Sequence, residues 1–258
     1  MPLHRFFLLL TALAALLCPS NGRAAERRTD SNGNLWLNYV GDHALGNGPW
    51  GLHLEVQTRR ADLGEAWQQL LVRPGINYQL SPTLSVSAGW AYVHTSRYGD
   101  YPAAAAFPEH RSWEQVLHQF KLLGLDWSQR FRLEQRWLGE MAKPAGADDY
   151  DLANWRYENR IRYMLRTSVP VSGSGKTYIA LWNEVFFNFG TNVSGNDFDQ
   201  NRAFVGIGRK LTDTTRLEVG FMEQTLRRRG GNIREDNHTI TVWLTSKWPF
   251  AKTTPTLR

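Results

Sequence analysis

Two neighbouring stretches set the pattern of the chain. In the first, Leu125, Trp127, Phe131, Leu133 and Trp137 alternate with Asp126, Ser128, Arg130, Arg132, Glu134 and Arg136. In the second, Trp155, Tyr157, Ile161, Tyr163 and Leu165 alternate with Arg156, Glu158, Arg160, Arg162 and Arg166. A period of two predicts β-strands, with successive side chains on opposite faces. One face is aromatic and aliphatic. The other is a ladder of charge of both signs. A soluble sandwich turns its apolar face inward. A membrane barrel turns that face to lipid and closes the charged face around an interior.

The same alternation recurs along the chain. Trp50, Leu52, Leu54 and Val56 stand against His53, Glu55, Gln57 and Arg59. Leu70, Val72, Ile76, Tyr78 and Leu80 stand against Gln69, Arg73, Asn77 and Gln79, with Pro74 marking a bulge or local break. Further strands are expected at 84–92, 109–122, 178–188, 202–211, 216–226 and 239–250, with a weak one at 35–40. The pattern at 109–122 is the least regular. Short connections at Ser81-Pro82, near Gly124, at 172–175 and at Thr212-Asp213 alternate with long ones near 96–108, 139–152, 190–200 and 227–236. Short turns at one end and long loops at the other are the habit of outer-membrane barrels. The expected fold is therefore all-β: a single transmembrane, antiparallel, up-and-down β-barrel of about 10–12 strands.

The ends of the chain place it in a compartment. Arg5, the apolar run from Phe6 to Leu17 and the small residues Gly22, Ala24 and Ala25 read as a cleaved secretory signal peptide over residues 1–25. The barrel domain is expected at 26–250, with 26–33 disordered and a short tail at 251–258. Cys18, the only cysteine, leaves with the signal, so thiol chemistry and a Cys-ligated metal are not expected. Beyond the signal no apolar stretch approaches the roughly 20 residues of a membrane helix. The formal charge of +6 is spread along the chain, with no basic block that suits nucleic acid. Eleven Trp and nine Tyr suit aromatic belts at two membrane interfaces. Trp248-Pro249-Phe250 resembles the aromatic ending read by the outer-membrane assembly machinery, although residues 251–258 follow it. The expected location is the bacterial outer membrane, and the expected partners are its lipid, lipopolysaccharide and that machinery.

A resemblance adds to this reading. Trp36, Glu55-x-Gln57-x-Arg59, Arg132-Leu133-Glu134-Gln135-Arg136, Asn183-Glu184 with Phe186-Phe187, and Phe198-Asp199-Gln200-Asn201-Arg202 with Gly206 and Gly208 resemble the bacterial domain-of-unknown-function family 2490. The resemblance covers nearly the whole mature chain. It implies an outer-membrane-type β-barrel and no particular activity.

The candidate chemistry lies on the charged faces. Glu55, Arg59, Arg73, Arg130, Arg132, Glu134, Arg136, Arg156, Glu158, Arg160, Arg162, Glu184 and Arg202 are expected to line the lumen. They would either pair into a network that fills it or form a constriction that favours anions. The leading expectation is a structural barrel or a narrow passive, anion-favouring channel. One alternative is a membrane lipid hydrolase. It would use His94 and Ser96, which share a strand face and could act as base and nucleophile; a polar strand end is the plainer reading. Another is a soluble periplasmic lipid-binding barrel. Asp148, Asp149 and Asp151, like Asp197 and Asp199, read as solvated loop carboxylates rather than metal ligands. No cofactor is expected.

Overall fold

The computed structural model describes residues 28–230 and 232–249. The expected signal segment and the tail at 251–258 lie outside the described residues. Eleven strands follow one another: β1 (Arg28–Ala44), β2 (Trp50–Ala61), β3 (Ala66–Ser81), β4 (Leu84–Thr95), β5 (Phe107–Leu122), β6 (Leu125–Ala142), β7 (Asp151–Pro170), β8 (Thr177–Phe189), β9 (Phe198–Lys210), β10 (Thr215–Arg227) and β11 (Ile233–Ser246). Each strand pairs antiparallel with its neighbour in sequence, and β1 closes the barrel on β11. An odd number of alternating strands forces the first and last to run the same way. The closing ladder is accordingly parallel, from Arg28↔Ile233 to Gly41↔Ser246. The wholly antiparallel barrel expected from sequence is corrected at this one seam.

The disordered segment expected at 26–33 is also corrected, for the part that is described. β1 starts at Arg28, and its first half is a full member of the wall. Asp30, Asn32 and Asn34 point inward and are buried, while Ser31 and Gly33 alternate with them. No apolar residue marks either face, so the period of two has no hydrophobic signal there. Pro74 makes no bulge but does mark a local break. Arg73 and Pro74 have no partner on β4, and the ladder resumes in the same register from Val72↔Tyr92 to Gly75↔Gly89, while the register shifts fall at Arg59/Arg60 and Gln79/Ser81. The last strand stops at Ser246, short of the expected residue 250.

Connections sort by end. At one end lie 96–106, 143–150, 190–197 and 228–232, with a 3-10 turn at Asp62–Gly64. At the other lie 45–49, 82–83, 123–124, 171–176 and 211–214. We call these the loop end and the turn end. Leu123 and Gly124 both have positive φ, at 54° and 76°, as a two-residue hairpin between right-twisted strands requires.

The two faces of the wall differ in kind. Outward side chains include Leu54, Ile76, Trp90, Phe131, Leu133, Ile161, Val205, Phe221 and Ile240, all exposed. A short polar strip interrupts them, where Gln135 donates to Glu114 and accepts from Ser112. Inward side chains are mostly polar or charged and buried. The apolar core is a smaller cluster inside the barrel, of Trp36, Tyr178, Ala180, Trp182, Phe204 and Met222. Glycine makes room for it. Gly206 and Gly220 face each other across the β9–β10 ladder, and a Cβ on either would meet the Phe204 ring at 2.5–2.7 Å.

Candidate functional site

The inward charges meet at mid-height around Glu134. This carboxylate is fully buried. Its Oε1 accepts from Arg73 Nη2 at 3.0 Å and Arg162 Nη1 at 2.9 Å. Its Oε2 accepts from Arg160 Nε at 2.8 Å. Glu55 pairs with Arg73 at 2.5 Å and lies 3.6 Å from Arg132. Glu184 takes Arg162 and Arg130, at 2.8 and 2.7 Å. Arg160 continues to Asp199 on β9 at 2.9 Å. Nearer the loop end, Glu109 holds Arg111 and Arg136, at 2.7 and 2.5 Å, and Arg156 pairs with Glu158 at 2.8 Å. The alternation of each strand aims these groups inward, and barrel closure leaves them only each other.

Arg59 and Arg202 stand apart. Among the described residues neither makes an ion pair with a carboxylate. Arg59 donates to the side-chain oxygens of Gln57 and Gln69, and Arg202 donates Nε–H to Gln200 at 3.0 Å. Both guanidiniums lie over the Trp36 ring, 4.1 and 5.1 Å from its centroid.

Sequence reasoning missed Glu109 and Arg111, and the reading of Asp199 as a solvated loop carboxylate is corrected: it lies on β9, buried and paired with Arg160. The first two sit on β5, where the pattern is weakest. There Trp113 points inward and His110, Ser112 and Glu114 point outward. An inward aromatic beside outward polar groups hides the alternation. The signal that was available is Glu109-x-Arg111, spaced like Arg156-x-Glu158.

Two cavities flank the network. The loop-end vestibule has a volume of about 410 Å³, and its wall carries eleven arginines against four carboxylates. The turn-end cavity, of about 430 Å³, is lined by Asn77, Gln79, Ser87 and Gln119. Glu55, Arg132 and Glu134 line neither, so they stand between the two. His94 and Ser96 are not brought together. Ser96 lies beyond the end of β4 and lines the vestibule, His94 does not, and no hydrogen bond joins them among the described residues. Nor is a group of three or more metal-ligating side chains found among the described residues.

Comparison with known proteins adds the family. The family model described as "Protein of unknown function (DUF2490)" matches residues 33–235. The chain belongs to this family. An uncharacterized protein of Methylorubrum extorquens is 26% identical over 231 residues, covering 87% of this chain and 92% of that protein. A crystal structure of the NanC porin aligns with a TM-score of 0.44 at 11% identity, covering 78% of this chain and 93% of that one. The DUF2490 match takes in ten of the strands whole or in large part and ends within β11. It spans both Glu134 and Arg202.

Proposed function

We propose that this DUF2490 member is an outer-membrane β-barrel with a narrow, anion-favouring lumen held shut at mid-height by its own ion pairs. The observation that carries this reading is the inversion of the wall. Large apolar side chains are exposed on the outside, and Glu55, Arg73, Arg132 and Glu134 are buried inside. In water such an outer surface would be a liability, whereas in lipid it is the favourable one. The arginine excess of the vestibule favours anions, as rings of basic side chains do. The pairs at Glu134 oppose free passage, because a solute would have to separate buried charges. Passage then needs the plug to rearrange, and the resting barrel is structural.

The test is made on the mature protein refolded in detergent and inserted into planar bilayers. The expected result is a shift between boiled and unboiled samples on a gel, with rare, small, anion-selective conductance steps. Failure to insert into vesicles would remove the membrane reading. Large, unselective steps would remove the plug.

A further inference from the structure

We infer that Arg59 and Arg202 form a binding site for a small oxyanion, a carboxylate or phosphate group, on the floor of the loop-end vestibule. The argument starts from how the other buried arginines are held. Arg73, Arg132, Arg160 and Arg162 each have carboxylate oxygens within 4 Å. Arg59 and Arg202 are also buried, at 8% and 7% exposure, but their hydrogen-bond acceptors are side-chain amides alone. An amide oxygen satisfies an N–H and leaves the charge uncancelled. Two guanidiniums in one buried place, with no carboxylate within 4 Å of either, are favoured by an anion that joins them.

The donors left over are suited to that anion. A guanidinium carries five N–H groups in a fixed fork that matches a planar or tetrahedral oxyanion. Arg202 uses Nε–H on Gln200, and a turned Gln224 amide would add one neutral acceptor at 3.2 Å from Nη2. The other donors on Nη1 and Nη2 remain for a ligand. Arg59 keeps two of its five after Gln57 and Gln69 are served. Both forks are fixed in place over Trp36, and Arg202 is also 4.8 Å from the Phe186 ring. Both line the vestibule, whose upper wall includes Tyr98, Asn196 and Arg228 from three different loops. A cavity of about 410 Å³ admits a small solute and not a polymer. The site rests on the proposed function only in needing access from the loop end.

The test uses the full mature protein refolded in neutral detergent, with the boiled-versus-unboiled gel as the folding control. Inorganic phosphate and succinate are titrated separately by calorimetry. The expected result is saturable one-to-one binding of at least one of them, weakened tenfold or more in Arg59→Gln and in Arg202→Gln. Arg216→Gln, an exposed change at the turn end, should bind as the unaltered protein does. The melting temperature of the two vestibule variants should hold or rise, because each removes an unpaired buried charge. Arg202→Lys keeps the charge and loses the fork, so it should bind with intermediate affinity. Dihexanoylphosphatidate is then offered in competition. Displacement of phosphate at equal or greater affinity assigns the oxyanion to a lipid headgroup, and failure to compete assigns it to a free solute. A folded protein that binds neither phosphate nor succinate overturns the inference, and so does equal binding by the two Gln variants. Vesicle insertion is scored separately, so loss of the membrane reading and loss of this site are told apart.

Discussion

Arg160 Nε donates to Glu134 Oε2 at 2.8 Å while its Nη1 donates to Asp199 at 2.9 Å, so one guanidinium ties the wall at β6 and β7 to the wall at β9. Glu134 in turn takes Arg73 and Arg162. Removing a partner from such a network strands buried charge. Glu134→Gln should therefore lower stability by about 3–5 kcal/mol. The double change Glu134→Gln with Arg160→Gln should lose much less than the two single losses added together. Urea unfolding in lipid vesicles, followed by the gel shift, measures both. Additive losses would mean that the pair is not coupled.

Arg132 and Arg160 bear on the plug in a second way. If the lumen conducted freely, replacing either would mainly change anion selectivity. Arg132 is instead buried, within 3.6 Å of Glu55, and donates to Gln115 Oε1 at 2.6 Å. Arg132→Gln should show a lowered melting temperature together with more frequent opening in planar bilayers. A change in selectivity with stability and opening frequency unaltered would contradict the plug.

The barrel was legible wherever outward apolar groups alternate with inward charge, as at Phe131 and Arg132 or Ile161 and Arg162. It was illegible where either face broke the rule. The first half of β1 has Ser31 and Gly33 outside, and β5 has Trp113 inside. The parallel seam could not be read either, because it depends on an odd strand count, and one polar strand more or less changes that. The inward side of residues such as Arg59 and Arg202 followed from parity alone. Their lack of a carboxylate did not, because it depends on which side chains the curvature of the wall brings near them.

Trp113 stands on glycine. Its Nε1–H donates to Trp90 O at 3.2 Å, and its ring lies 5.1 Å from the Arg132 guanidinium. A Cβ on Gly75 would come within 2.5 Å of that ring and within 2.7 Å of Ala88 O. One contact is with the ring, but the other is with backbone, so the wall has to shift as well. Gly75→Val should cost about 1–3 kcal/mol by overpacking, measured by thermal melting. It should also disturb the plug, raising the frequency of opening.

The longest loop is latched across the seam. Tyr98 donates its hydroxyl to Glu235 at 3.0 Å, and the Asp100 amide donates to Asp30 at 3.2 Å. Arg228 reaches Asp30, Glu235 and the Tyr101 carbonyl. Arg228→Gln should speed limited proteolysis within 97–105 severalfold while leaving the gel shift in place. Burial, with the Glu235 carboxylate beside it, holds the Tyr98 hydroxyl above the usual phenol range. Its raised value in the folded state means that its contribution is whole below the free value, about pH 10, and is lost as the pH rises beyond it. Cleavage should stay level up to that point and then rise. In Tyr98→Phe this component of the rise should be missing.

The outer face gives the plainest test of the surroundings. Val205 is at the middle of β9, outward and exposed, with Leu181 and Phe221 directly across from it on the neighbouring strands. Leu211 is equally exposed, but lies just past the strand at the turn end. In water an arginine at either place would cost little. In a bilayer the cost depends on depth, about 2–4 kcal/mol at the midplane and about 0–1 near the interface. Val205→Arg should therefore destabilise the protein in lipid vesicles far more than Leu211→Arg, as read from urea unfolding. Equal, small effects would mean that this face meets water, and the membrane reading would fall with them. A large effect at Val205 alone would fix the midplane on β9, at the level where Leu181, Val205 and Phe221 meet.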